Sequence, residues 1–187
     1  MTPRIETKEL VYDRWLRLFR TEMRMPDGSL AERHLEDHGT AVAVLPYDPE
    51  RRVALLIRQP RASVVNAGEC PILEIPAGND DGEGWEDAAR RETFEETGVA
   101  LRQLEPVVRI WTMPGISTEQ MSIFLAAYTL RGRTGTGGGA EGENEAIEVV
   151  EVALGELARQ VEAGELRDAK TLIAVQALML RLPALFA

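Results

Sequence analysis

Three glutamates, Glu92, Glu95 and Glu96, stand at i, i+3 and i+4 within Arg91-Glu92-Thr93-Phe94-Glu95-Glu96-Thr97-Gly98-Val99. On a helix this spacing sets all three carboxylates on one face. Like charges so placed repel, by roughly 0.2–0.5 kcal/mol per pair even in water. A fold that gathers them calls for a compensating cation. Carboxylate oxygens are hard donors, and Mg²⁺ or Mn²⁺ suits them. Such an ion commonly joins one or two carboxylates to phosphate oxygens, so the chemistry in view is that of phosphates. The plainer alternative is an acidic helix face in water, as charge runs often are.

The helix that must carry these groups is well marked. Glu83 and Glu86 stand near its start and suit the positive end of the dipole. Ala88 and Ala89 favour the helical state. Glu86 and Arg90, Asp87 and Arg91, and Arg91 and Glu95 form pairs four residues apart. Gly98 stands where a left-handed cap belongs.

Around it, residues 11–24 read as strand, Met25-Pro26-Asp27-Gly28-Ser29 as a turn, and residues 30–36 as the returning arm of a hairpin. Residues 40–45 and 53–57 are short strands joined by a turn at Tyr47-Asp48-Pro49-Glu50. Residues 72–75 form a further strand leading into Pro76-Ala77-Gly78. Residues 107–111, 121–130 and 146–152 complete the set, and the glycine-rich stretch 133–142 is expected to be mobile. Residues 154–163 and 168–182 have helical periodicity, with Asp168 as an N-cap candidate. Strands mixed with one central acidic helix and C-terminal helices predict an α/β fold.

At 187 residues the chain has room for one domain with a sizeable core. A net charge of −10 argues against nucleic acid or an anionic membrane as partner. No apolar run approaches the roughly 20 residues that span a bilayer. Residues 1–20 lack the apolar core of a secretion signal. The single cysteine, Cys70, leaves no internal disulfide and fits a reducing cytoplasm. One cysteine and two histidines are too few for the usual closed zinc sites.

The acidic segment resembles the Nudix box, written G-x5-E-x7-R-E-U-x-E-E-x-G-U with U bulky and apolar. Residues 83–99 keep that spacing, with Arg91, Glu92, Glu95, Glu96 and Gly98 in place. Two departures stand out. Four residues rather than five separate Gly78 from Glu83, and Thr93 fills an apolar position. The resemblance implies an α/β/α sandwich around a mixed sheet. It also implies Mg²⁺-dependent hydrolysis, with Mn²⁺ as a substitute, of a pyrophosphate linkage. Residues 1–38 resemble the β-rich extension of the dimeric nucleoside-diphosphate-sugar hydrolases, which implies a homodimer, with residues 39–187 as the hydrolase domain.

The same resemblance distributes roles. Glu92, Glu96 and Glu95 are metal-ligand candidates, and the carbonyl of Ala77 joins them because Pro76-Ala77-Gly78 resembles the Leu-Pro-Ala-Gly of related enzymes. Arg91 either contacts phosphate or, as the resemblance favours, pairs with a box glutamate and orients it. Glu141-Gly142-Glu143-Asn144-Glu145 reads either as a solvated loop or as a loop that brings a general base to the metals. Its likeness to the catalytic loop of ADP-ribose and GDP-mannose hydrolases points to Glu143 as base and Glu145 as metal contact. Arg58-Gln59-Pro60-Arg61 offers two guanidiniums that could clamp a diphosphate, or two surface arginines at a proline turn. Its similarity to the Arg-Gln-x-Arg of ADP-sugar hydrolases favours Arg61. Pro114 matches a proline that marks ADP-ribose pyrophosphatases, and Glu119 a substrate-contacting glutamate. The Gly137-Gly138-Gly139 and Asn66-Ala67-Gly68-Glu69 stretches look more like the GDP-mannose branch. The expected activity is therefore hydrolysis of ADP-ribose or GDP-mannose. The alternatives are hydrolysis of other nucleotides or a non-catalytic Nudix-like sensor, which the intact box glutamates oppose.

Overall fold

The computed structural model describes every residue except Glu141, Glu143 and Asn144. The chain divides into two compact units, Met1–Ala41 with Arg109–Met121, and Val42–Val108 with Ser122–Ala187.

The first unit is built on an antiparallel sheet of β1 (Arg4–Asp13), β2 (Arg17–Arg24) and β3 (Leu30–Asp37), in that order. The expected hairpin is β2–β3. The turn between them is held by Asp27, whose carboxylate accepts from the Ser29 N–H at 2.9 Å and the Ser29 hydroxyl at 2.7 Å. The expected strand over 11–24 is broken at residues 14–16, and β1 adds a strand that the sequence reading left out. The reason is composition: β1 is exposed along its whole length and charged residues interrupt its apolar alternation.

A mixed sheet, most of whose residues belong to the second unit, runs in the order β7 (Glu105–Trp111), β8 (Gln120–Ala127), β4 (Ala41–Asp48), β5 (Val53–Arg58) and β9 (Glu148–Ala153), with β6 (Ala77–Asn79) paired to β4. β4 is buried at every position, as a central strand covered on both faces must be. One face sets Val42, Val44, Leu55, Phe124 and Ala126 against Ala88 and Ala89. Alternation sends Ala43, Leu45, Leu56 and Ile123 to the other face, and these are fully buried too. The helices are α1 (Ala62–Asn66), α2 (Trp85–Thr97), α3 (Leu154–Ala163) and α4 (Ala169–Arg181). α3 and α4 bury Leu154, Leu157, Val175 and Leu178 completely. The result is the α/β fold expected of the sequence, in the α/β/α arrangement that the resemblance implied.

Three elements differ from expectation. Residues 72–75 are not a strand but a single bridge between Glu74 and Ile57. α1 was not foreseen, being too short to show a period. Residues 134–139, within the stretch expected to be mobile, are hydrogen-bonded to the end of α2. Thr134 and Gly135 donate to the Gly98 carbonyl, Gly138 to Glu96 and Gly139 to Glu95. Glycine-rich backbone here satisfies the orphan carbonyls at the end of α2. No described helix is long and apolar enough to cross a membrane.

Candidate active site

α2 carries the three glutamates and begins and ends as its sequence dictates. Its first turn holds Glu86 and Asp87, and Gly98 closes it at φ 75°, a left-handed cap. The shortened loop before it is stabilised by Asp80, whose carboxylate accepts from the N–H groups of Gly82 and Gly84, each at 3.1 Å. Thr93, the polar departure from the box pattern, is fully buried, and its hydroxyl donates to the Ala89 carbonyl at 2.7 Å. A threonine therefore packs there without an unsatisfied group.

Glu96 is the most enclosed of the three, 2% exposed. Its carboxylate accepts from the Ala77 N–H at 3.0 Å, which ties β6 to α2. Burial pushes its pKa up to about 8; the Ala77 hydrogen bond opposes this, while the charges of Glu92 and Glu145 add to it. Glu92 lies against Gly78 so closely that a Cβ at position 78 would overlap its carboxylate. Arg91 reaches across the group. It donates to Glu83 at 2.7 Å, Glu92 at 2.8 Å, Glu95 at 3.1 Å and the Asn79 carbonyl at 3.1 Å. Burial opposes the Arg91 charge, yet Glu83 and Glu92 outweigh it and raise its pKa. Arg91 is thus fully engaged in holding glutamates.

Arg61 enters from the end of β5. Its Nε and Nη2 donate to the two oxygens of Glu74, both at 3.0 Å, and it feels the charges of Glu96 and Glu145. Glu145 also approaches Gly139, where an added Cβ would lie 2.9 Å from its Oε2. The structure therefore brings Ala77, Arg91, Glu92, Glu95, Glu96, Arg61 and Glu145 into one neighbourhood of the second unit. Arg58 is exposed at the end of β5, in register with Glu148 of β9. Pro114 and Glu119 belong to the first unit. There His38 stacks on Trp15 with ring centroids 5.5 Å apart, and its Nε2 lies 2.8 Å from Glu119. Glu143 lies outside the described residues.

Sequence reasoning missed Glu74 and Lys170. Glu74 is 3% exposed and takes Lys170 Nζ at 2.6 Å as well as Arg61. Burial would raise its pKa, but Arg61 and Lys170 outweigh that and hold it below the ordinary glutamate range. The available signal was a lone acid inside the aliphatic run Ile72-Leu73-Glu74-Ile75. A charge so placed requires a buried partner.

The donor set is one of hard oxygens with surplus negative charge around a buried carboxylate, and it fits a hard dication. Among the described residues no three acidic, histidine or cysteine side chains close on one point. Magnesium does not need such a cage, since it commonly takes one or two carboxylates and completes its shell with water and phosphate.

The NUDIX domain pattern matches residues 37–174. The chain belongs to the Nudix hydrolase family. It is 37% identical over 170 residues to a GDP-mannose pyrophosphatase of Cronobacter sakazakii, a match covering 89% of this chain and 88% of that one. It is 35% identical over 175 residues to an ADP-ribose pyrophosphatase of Escherichia coli, covering 91% and 83%. A solved ADP compounds hydrolase superposes with a TM-score of 0.77 over 98% of this chain and 96% of that one, at 21% identity, a likeness of fold. α2 is thus the Nudix helix, and the one-residue shortening before it leaves both the helix and its Gly78–Glu92 contact in place.

Proposed function

We propose that this Nudix hydrolase cleaves the pyrophosphate bond of a nucleoside diphosphate sugar, either ADP-ribose or GDP-mannose, with Mg²⁺ or Mn²⁺. The observation that carries the reading is the buried Glu96 carboxylate flanked by Glu92 and Glu145, with Arg61 alongside. Relatives over most of the chain bear the names of both activities. Glu92 and Glu96 would hold the ion, with Glu95, Glu145 and the Ala77 carbonyl as further oxygen donors. When bound, the ion offsets charge on the phosphoryl oxygens and lowers the pKa of a bound water. Arg91 holds Glu92 and Glu95 in place. Glu143 would act as general base and Arg61 as the diphosphate contact, with Arg58, Pro114 and Glu119 as further substrate contacts. The exposed Ile5, Leu10, Val11 and Tyr12 of β1 suit a homodimer contact, and the lone Cys70 suits the cytoplasm.

The test is product analysis after incubation with Mg²⁺ and an equimolar mixture of the two sugar nucleotides. AMP with ribose 5-phosphate identifies ADP-ribose as substrate, and GMP with mannose 1-phosphate identifies GDP-mannose. Failure to consume either, with Mn²⁺ as well as Mg²⁺, overturns the reading.

A further inference from the structure

We infer that Glu74 and Lys170 are positioning residues that hold Arg61 away from the metal-binding carboxylates and keep one edge of its guanidinium ready for a diphosphate. The inference rests on the reading of Arg61 and the Nudix carboxylates given above.

The argument begins with an electrostatic conflict. A long, flexible cation stands within the field of Glu96 and Glu145. Unrestrained, it would fold onto them, because opposite charges away from bulk water attract strongly. An arginine so collapsed would compete with the dication for the same oxygens. In the structure its guanidinium is gripped by Glu74. Nε and Nη2 are both committed to Glu74 at 3.0 Å, a bidentate pair that fixes the plane of the guanidinium. A guanidinium has five N–H donors, so this edge-on grip spends two of them and leaves Nη1 and the second N–H of Nη2. The bonds to Glu74 run through Nε and Nη2, so the Nη1 edge of the guanidinium is not used by the brace.

Glu74 can act as this brace only if it is itself immobile and charged. Lys170 secures both conditions. Its Nζ donates to Glu74 at 2.6 Å and to Asp168 at 3.0 Å. Asp168 in turn caps α4, accepting from the Thr171 N–H at 3.0 Å. The Thr171 hydroxyl closes the circuit by accepting from the Ile75 N–H at 2.8 Å, next in the chain to Glu74. Glu74, Lys170 and Asp168 are 3%, 11% and 15% exposed at the side chain, whereas Arg61 is 39% exposed. The anchor is buried, whereas the arginine side chain is partly accessible. Lys170 also shares the Glu74 charge, so Arg61 is not fully neutralised by its brace.

The decisive experiment titrates Mn²⁺ into the purified protein, following free ion by electron paramagnetic resonance, for wild type, Glu74→Gln, Arg61→Ala and the double variant. Kinetics on the sugar nucleotide and circular dichroism melts accompany it. Glu74→Gln is expected to weaken Mn²⁺ binding about 10-fold or more, the scale set by residues that orient metal ligands. It should also raise KM more than it lowers kcat. Removing Arg61 from the Glu74→Gln chain should restore Mn²⁺ affinity while KM stays high. Lys170→Met should reproduce the Glu74→Gln pattern and Lys170→Arg should rescue it. If the double variant binds Mn²⁺ as weakly as Glu74→Gln, the effect is structural and the inference is overturned. It is equally overturned if Glu74→Gln binds Mn²⁺ and substrate like wild type. Should Glu74→Gln fail to fold, Glu74→Asp, which keeps the charge but shortens the reach, is read in the same way, and unchanged binding overturns the inference. A wild type that binds Mn²⁺ but hydrolyses no sugar nucleotide would overturn the proposed activity, while the Mn²⁺ measurements would still decide the role of Glu74.

Discussion

Gly78 of β6 and Glu92 of α2 are in direct apposition, with the glutamate carboxylate occupying the space a Cβ would need. Gly78→Ala must therefore move Glu92. The carboxylate is the far end of a side chain and gives way more readily than backbone. The stability loss should fall at the low end of the about 1–3 kcal/mol typical of overpacking. Activity should fall about 10²-fold, the scale of a displacement of roughly 1 Å in a catalytic group. Parallel melting curves and initial rates check this. A variant that melts near wild type yet retains full kcat would show that Glu92 can be displaced without consequence.

Glu96→Gln keeps the volume of the side chain and an oxygen to accept from Ala77. It removes only the capacity for negative charge. The metal-free chain should then melt no lower than wild type, since glutamine avoids the cost of either burying the charge or taking up a proton at this site on folding. Turnover should drop about 10²–10³-fold, equivalent to the several kcal/mol that a bound dication supplies. Calorimetric Mg²⁺ titration of the variant, beside its kcat, separates this from a folding defect.

Much of this site was legible in the chain. The spacing of Glu92, Glu95 and Glu96, the alanines at 88 and 89 and the closing Gly98 agree at every level, and α2 follows from them. The periods of α3 and α4 were equally plain. What was not legible depends on partners distant in sequence. Glu74 sits 96 residues from Lys170, and nothing local tells that they meet. Residues 134–139 have the composition of a mobile loop, but the N–H groups of Thr134, Gly135, Gly138 and Gly139 match the carbonyls at the end of α2. β1 escaped notice because a strand exposed on all sides lacks the alternation that burial imposes.

The exposed apolar residues of β1 make a specific expectation about assembly. Leu10→Glu combined with Tyr12→Glu places charge among side chains that are about half exposed, at 47% and 50%. Within one chain such exposed changes cost little, within about 0.5 kcal/mol each. A dimer that buries them would instead be disrupted. Light scattering should show half the wild-type mass for the variant. Identical masses, whether both monomer or both dimer, would remove β1 from the interface.

The ion pairs around Glu74 give stability a defined pH dependence. Burial opposes the Glu74 charge, but Arg61 and Lys170 prevail, so its folded pKa lies below the unfolded value of about 4.3. In that case the unfolded chain binds the proton first as pH falls. The contribution is fully present above the unfolded pKa and is lost as pH drops through the folded one. At neutral pH, Glu74→Gln leaves Arg61 and Lys170 without their shared carboxylate, and breaking a buried pair in this way costs about 3–5 kcal/mol. Other carboxylates titrate in the same acidic window, so the quantity to follow is the difference in melting temperature between wild type and Glu74→Gln. That difference should be constant from pH 7 to about 5 and shrink below about 4.3. A gap that stayed constant into strong acid would mean that Glu74 carries no charge in the folded protein.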